Sequence, residues 1–477
     1  MPAARRGLQV FLQSTRGTFG SGGQFRPFVH EREDGLATLA WLRAQPWCDG
    51  RVATIGGSYL GHTQWAVAPY ADPPLTAVSL SITAARISRA FYGAGGAPAM
   101  QNALTWTSQI GVQEARRLPP VLPNPVARAR LRRAQRMLPL QAADSAVAGA
   151  PVVFWRDFTA HAAVTDDFWG VTDHERAELS RMPPVNMVTG WWDLFVAAQL
   201  TDYARLRAAG VTAQLTVGPW LHGDPAELRE IVRSDLAWLD HHLGGAPAAP
   251  RAAVRLNLMP TEHWLEFDNW PPPEYPPTPW FLGSGGSLRE RTPDGTAAPS
   301  TFRYDPTDPT PSAGGPLLAP PGKQVDNARL ETRPDVLVFT GPVLERDLDV
   351  VGPVGARLFL RSTSEHADVF VRVCDVDATG VSRNVVDGIR RLGPDAPADA
   401  VGDDRVAEVA VELFPTAYRF AAGHRIRVQV AGGAFPRFAR NFGTAESFAT
   451  ATTGIGNGYE VFHDAEHPSR VELPTPR

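Results

Sequence analysis

A serine set among glycines opens the chemical reading: Gly56-Gly57-Ser58-Tyr59-Leu60-Gly61. Arg51 to Ile55 before it has the pattern of a short strand, and Thr63 to Ala68 after it continues as a helix. A hydroxyl at a sharp strand-to-helix turn is a candidate nucleophile, and its neighbours must be small because the turn is strained. Gly56 supplies that clearance two residues before Ser58. The generic pattern places a second glycine two residues after the serine, where this chain has Leu60, with Gly61 one position later. A serine hydroxyl is nearly inert without a base to take its proton and an anion to orient that base. Two later residues supply those types in the order Ser, Asp, His. Asp193 follows the apolar run Val185 to Thr189 and Gly190-Trp191-Trp192, and His222 follows Leu215 to Val217 and Gly218-Pro219-Trp220-Leu221. Alone, Asp193 reads as a helix cap for the segment beginning at Leu194, and His222 as a loop histidine. Three such groups at the carboxyl ends of three strands read instead as nucleophile, orienter and general base.

Other polar clusters carry less. His241 and His242 are adjacent on a helix and cannot face one metal; Leu239 and Leu243 beside them suggest packing. His62 reads as a helix-face residue near the pocket, and His161, Asp166 and Asp167 as a capping cluster. The loop Arg16 to Gly23 lacks the ordered glycines and the G-K-[ST] ending of a phosphate loop. Glu31, Glu33 and Asp34 read as the acidic start of a helix.

The elements that must position these groups form a parallel α/β rhythm. Leu8 to Gln13 is expected as a strand, Asp34 to Ala44 as a helix buried through Leu36, Leu39, Ala40 and Leu42, and Arg51 to Ile55 as a second strand. From about Ala85 to Arg181 the chain becomes helical and arginine-rich, as in Val126 to Met137, with prolines at Pro119-Pro120, Pro123 and Pro125. Strands resume at Val185, with a helix from Phe195 to Ala208 and a strand from Ala213 to Val217. After a Pro- and Gly-dense stretch, Pro271 to Pro321, come short alternating segments: Ala356 to Leu360, Val369 to Val373, Val406 to Val411 and Arg425 to Val430. Close strands without helices between them indicate an antiparallel sandwich.

At 477 residues the chain exceeds one compact core, and 43% hydrophobic with 20% charged residues is ordinary globular composition. A net charge of −4 offers no attraction for nucleic acid or an anionic membrane. Basic charge is almost all arginine, Lys323 being the single lysine. Cys48 and Cys374 form neither a disulfide framework nor a metal-ligand pattern, so a reducing, cytoplasmic setting is the default. No run has the length of a membrane span, and the start has no signal-peptide apolar region.

These motifs resemble the X-Pro dipeptidyl-peptidase-type (S15-like) α/β-hydrolases, the family of cocaine esterase, α-amino acid ester hydrolases and glutaryl acylases. The resemblance rests on Gln45-Pro46-Trp47-Cys48-Asp49-Gly50-Arg51-Val52, the Ser58 motif with Thr63-Gln64-Trp65, Gly190-Trp191-Trp192-Asp193, Gly218-Pro219-Trp220-Leu221-His222 and Trp238-Leu239-Asp240-His241-His242-Leu243. Arg333-Pro334-Asp335-Val336-Leu337 and Phe435-Pro436-Arg437-Phe438 extend it into the last third. It implies an α/β-hydrolase core with an inserted helical cap and a C-terminal all-β jelly roll. The expected boundaries are core 1–85, cap 86–181, core 182–275 and jelly roll 276–477. It also implies Ser58, Asp193 and His222 as triad, the Tyr59 backbone N–H as an oxyanion donor, and no cofactor or metal. Trp192, Phe91, Trp106, Trp155 and Phe168 are candidates to line the substrate pocket.

The same resemblance places further strands and a tyrosine, the second oxyanion donor, ahead of the segment equivalent to Leu8. On that reading the chain is truncated at its N-terminus: Met1 is not the native start, or the gene is a remnant. Two sheet edges are then left open, and loss of one donor costs ~10²–10³ in turnover. Ser14 also departs from the family, which has an aspartate there. The expected activity is cleavage of a small ester or amide through an acyl-enzyme, with a homo-oligomer allowed. X-Pro dipeptidyl aminopeptidase activity, or a non-catalytic truncated scaffold, is the alternative.

Overall fold

The computed structural model describes residues 2–93, 95–116, 125–161, 166–247, 251–320, 322–394, 396 and 398–476. Met1 and the prolines at 119, 120 and 123 therefore lie outside the described residues.

The first half is built on a six-stranded sheet: β1 (Ala53–Gly57), β2 (Ala77–Ser81), β3 (Val185–Trp192), β4 (Ala213–Leu221), β5 (Val254–Asn257) and β6 (Trp264–Phe267), side by side in chain order. The first five are parallel and β6 returns antiparallel to β5. β2 and β3 are buried at every position, which explains their continuous apolar sequences: helices cover both faces of a parallel sheet. Ahead of β1 runs α1 (Glu31–Arg43), with Glu31, Glu33 and Asp34 in its first turn and Arg43 in its last, the polarity favoured by the helix dipole. α2 (Tyr59–Val67) leaves β1 directly.

Among the described residues six α-helices lie in the connection from β2 to β3: α3 (Ser88–Tyr92), α4 (Met100–Arg116), α5 (Pro125–Ala134), α6 (Ala143–Ala148), α7 (Val153–Ala160) and α8 (Asp167–Thr172). They enclose an aromatic core of their own around Phe91, Tyr92, Phe154, Trp155, Phe158 and Trp169. α9 (Val196–Ala208) joins β3 to β4, and α10 (Pro225–His242) follows β4.

The run Leu8 to Gln13, expected as a strand, forms none, and Val10, Phe11 and Leu12 are exposed. It pairs with no described strand, and an apolar hexapeptide without a neighbouring edge has no ladder to hydrogen-bond. Among the described residues β1 and β6 are the sheet's terminal strands, and the further edge expected on Leu8 to Gln13 does not exist because that segment forms no strand.

The second half is mainly β. A twelve-stranded sheet, almost wholly antiparallel, contains 355–362, 367–376, 382–392, 407–412 and 425–431 among its strands. These enclose three of the four alternating segments named from sequence and overlap the fourth, whose first residue, Val406, precedes its strand. One hydrophobic core runs without a break from β2, β3 and β4 through Leu258, Met259, Trp270 and Trp280 into Val371, Val373 and Val428. Backbone bonds cross the same seam, from Met259 N–H to Ala417 O (2.9 Å) and from Arg419 N–H to Met259 O (2.7 Å).

Inside the β half lies a buried ion cluster. Asp387 accepts from Arg372 on one oxygen (2.9 Å) and from Arg437 on the other (2.6 Å), with all three side chains out of solvent. Arg372 also donates to Asn327 Oδ1 at 2.7 Å. Burial pushes the Asp387 carboxyl up, but the Arg437 and Arg372 guanidiniums more than reverse this and hold it below the usual range. Removing the shared anion would strand two buried cations. Asp387→Ala is expected to cost about 3–5 kcal/mol, read as a lower urea midpoint against the parent protein.

Candidate active site

β1 delivers Ser58 into a turn at φ 60°, ψ −125°, a backbone conformation that L residues rarely adopt. The surroundings hold it there. Ser58 N–H donates to Ser81 O (3.0 Å), while Ser58 O accepts from Gly61 and His62 at 2.9 and 3.0 Å and starts α2. Gly56 sits at φ 146°, and a β-carbon on it would lie 2.7 Å from Leu60 Cβ. A β-carbon on Gly61 would lie 2.5 Å from Thr83 Cγ2, so close approach of α2 to the end of β2 requires the glycine at that place. Leu60, where the generic motif has glycine, instead faces solvent at 56% exposure. Beneath the turn Gln64 is buried and donates to Gly56 O (3.0 Å), Leu60 O (3.1 Å) and Ser79 O (2.9 Å).

The three sequence candidates meet. His222 Nδ1 lies 2.6 Å from Asp193 Oδ2, and Nε2 lies 3.1 Å from Ser58 Oγ. A carboxylate facing Nδ1 keeps the proton on that nitrogen and leaves Nε2 as acceptor for the serine hydroxyl. Asp193 is fully buried, and its second oxygen accepts from Phe195 N–H at 2.7 Å. The helix-cap role set against this in sequence is not taken up: α9 begins at Val196 with Phe195 at its N-cap and no side-chain cap bond, and the Asp193–Phe195 bond closes the turn ahead of it. The Tyr59 N–H opens α2 and stands outside its hydrogen-bond ladder, beside Ser58 Oγ in sequence.

The His222 turn is held from both sides. Leu221 N–H donates to Asp224 Oδ2 (2.9 Å), and Gly223 N–H donates to Glu227 Oε2 (2.7 Å). Glu227 is fully buried on α10; desolvation, then the nearby Asp193 charge, push its carboxyl up to about 9. It is a neutral acid at physiological pH, and sequence inspection passed it over as an ordinary residue of a helix.

The remaining candidates separate by location. Trp192 closes β3 and is buried. Trp106 stacks on Phe28 at 5.2 Å and on Tyr59 at 6.2 Å, which ties it to the Ser58 turn through two rings. Phe91 lies one ring further, 6.1 Å from Trp106. Trp155 has no exposed surface and donates Nε1–H to Gln141 O (3.1 Å), the packing of a residue in the helical core. Phe168 stacks on His161 at 4.4 Å. Phe28, which joins Trp106, Phe91 and Tyr59, went unremarked in sequence.

Glu31 departs from its expected role as one of a run of helix-start charges. It is buried, and the Tyr59 hydroxyl donates to it; desolvation pushes its carboxyl up despite that bond. His62 faces no solvent at all: it abuts Phe28 edge-on (4.9 Å) and His174 (5.2 Å), and burial drives its pKa well down. Asp166 accepts from Phe168 N–H (2.9 Å) and pairs with His161, as a helix cap does. Among the described residues no three His, Cys, Asp or Glu side chains gather as metal ligands, and no helix is long and apolar enough to cross a membrane.

Residues 1–224 match the X-Pro dipeptidyl-peptidase (S15 family) domain, and residues 248–472 match the X-Pro dipeptidyl-peptidase C-terminal non-catalytic domain. The chain is 32% identical to the cocaine esterase of Rhodococcus sp. (strain MB1 Bresler), over 98% of this chain and 88% of that protein. Among solved structures it is similar to an aminopeptidase from a marine sediment archaeon, Thaumarchaeota archaeon (TM-score 0.79, 23% identity, 97% of this chain and 84% of that one). An α-amino acid ester hydrolase gives a TM-score of 0.78 at 22% identity, over 96% of this chain and 84% of that one. At those identities the structures speak for the fold: an α/β-hydrolase core with a mainly β C-terminal half.

The neutral acid beside Asp193 has a pH consequence. With its pKa at about 9 in the fold and near 4.5 when unfolded, Glu227 binds its proton more tightly in the native state. Its contribution to stability is therefore whole in acid and declines as pH rises towards about 9. Glu227→Gln keeps an acceptor for Gly223 N–H and cannot ionise. Urea unfolding at pH 5, 7 and 9 should show the variant gaining on the parent at each step.

Proposed function

Because the chain belongs to the X-Pro dipeptidyl-peptidase (S15) family of hydrolases, we propose that it cleaves small esters by nucleophilic catalysis at Ser58. The observation that carries this is the unbroken bonding line from Ser58 Oγ to His222 Nε2 and from His222 Nδ1 to Asp193. His222 takes the hydroxyl proton as Ser58 attacks the carbonyl carbon. Asp193 holds the imidazole tautomer and stabilises the imidazolium that forms. The Tyr59 N–H donates to the developing oxyanion, His222 returns its proton to the leaving alkoxide, and the acyl group stays on Ser58. Water, deprotonated by the same imidazole, then releases the acid and restores the serine. No step draws on a metal or cofactor.

An ester or acyl amide is preferred over an X-Pro peptide on one observation. Capture of a peptide's free α-amine calls for available carboxylates in the helical insertion. Asp144 is bound by Arg156 (2.8 Å), Asp157 by Arg26 (3.0 Å), and Asp166 by His161 and a backbone N–H. Those three anions are already committed to partners. Similarity to a cocaine esterase points the same way.

An alkyl phosphonate probe should label Ser58 stoichiometrically, found by peptide mass after digestion. Ser58→Ala and His222→Ala should each lower ester turnover by ~10⁴–10⁶-fold while the protein still unfolds cooperatively. A panel of p-nitrophenyl esters, aminoacyl esters and X-Pro amides should show the esters cleaved fastest. A folded protein that takes no label would instead be a scaffold without catalysis.

A further inference from the structure

Outside the triad, the sequence's one lysine draws attention by its position. Lys323 belongs to the β half, yet its ammonium donates to Asp224 Oδ2 at 2.5 Å. That same oxygen accepts from Leu221 N–H, one residue before His222. The loop bearing Lys323 is seated directly on this turn. A β-carbon on Gly322 would lie 2.4 Å from Leu221 Cδ1, so the loop's backbone packs against the Leu221 side chain at the glycine.

The loop is also held more firmly than a surface ion pair needs. Lys323 has φ 70°, in the left-handed region that disfavours a side chain. Two backbone bonds with Gly315, at 2.9 and 3.0 Å, and Asn384 Nδ2–H to Lys323 O (3.1 Å) fix it there. Behind Gly315 stands the buried ion cluster: a β-carbon at that position would lie 2.4 Å from Arg437 Nη1 and 3.2 Å from Asp387 Oδ2. A strained residue so thoroughly braced, with its one charged atom delivered to another domain's histidine turn, has the marks of a positioning device.

Resting on the triad reading above, we propose that Lys323 is a positioning residue for His222: it anchors Asp224, and through it the Leu221–His222–Gly223 turn, to the β half. The β half thereby becomes part of the catalytic apparatus without touching substrate. The triad distances of 2.6 and 3.1 Å depend on where that turn sits, and displacements of an ångström at a catalytic group are costly to rate.

The test separates positioning from folding through the left-handed backbone. Lys323→Gly removes the ammonium while suiting φ 70°, so stability and rate should part. Its melting temperature should stay within about 2 °C of the parent or rise, while kcat for a p-nitrophenyl ester falls about tenfold and KM changes by less than about twofold. Lys323→Arg should restore most of the rate. In an Asp224→Asn background, which keeps an oxygen for Leu221 N–H, Lys323→Gly should cause no further loss. The phosphonate labelling rate of Ser58 should fall with kcat. If Lys323→Gly turns over and labels at the parental rate, or if its loss adds in full to that of Asp224→Asn, the proposal is overturned. Absence of labelling in the parent protein would overturn the triad reading instead, so the two failures are distinct.

Discussion

Ser58 can reach His222 only because its backbone is held where a side-chain-bearing residue resists going, at φ 60°. Such a conformation costs on the order of 1–3 kcal/mol and persists only where the surroundings over-determine it. Here the surroundings are mostly backbone: Ser81 O on the Ser58 N–H, the first turn of α2 on Ser58 O, and Gln64 gathering three carbonyls beneath. Gly56 and Gly61 matter because α2 must run close to both β1 and the end of β2. The strain is local, and so is most of the support that opposes it.

The two halves handle buried charge by opposite means. In the β half buried carboxylates are met mostly by cationic side chains: Asp387 has two arginines, Asp368 accepts from Arg391 at 2.7 Å, and Asp375 instead has His424 and the Tyr418 hydroxyl. Around the hydrolase sheet, buried acids are held mainly by neutral donors and shift upward instead. Burial takes Asp235, bonded to Ser79, to about 6, and Asp202 to about 7 despite the Ala85 N–H and Arg205. Glu227, behind the His222 turn, follows the same rule: desolvation, then the nearby Asp193 charge, push its carboxyl up.

The β half is also less separate than its composition suggests. The hydrophobic core crosses the seam, backbone bonds cross it at Met259, and the loop with Lys323 lies on the turn that carries His222. His222 follows the last residue of β4 and precedes α10 with only a few residues between, so its turn is braced by side chains, Asp224 and Glu227, and not by the sheet's own ladder.

Sequence alone determined the parts that depend on order and local pattern. The small residues about Ser58, the apolar runs ending at Asp193 and His222, and the alternation of the late strands are all near-neighbour effects, and each was legible in the residues themselves. What tertiary structure decided is what depends on partners far away in the chain. Leu8 to Gln13 has strand-like residues and forms no strand, because pairing needs an edge. Glu31 and Glu227 have the spelling of surface helix residues, and only burial pushes their carboxyls up. Trp106 and Trp155 read alike, yet one reaches the Ser58 turn through Phe28 and Tyr59 and the other is sealed in the helical core. Lys323 was visible as the only lysine, but its partner lies 99 residues away, and no periodicity records a contact of that kind. Ionisation and burial are set by surroundings that a chain acquires only by folding.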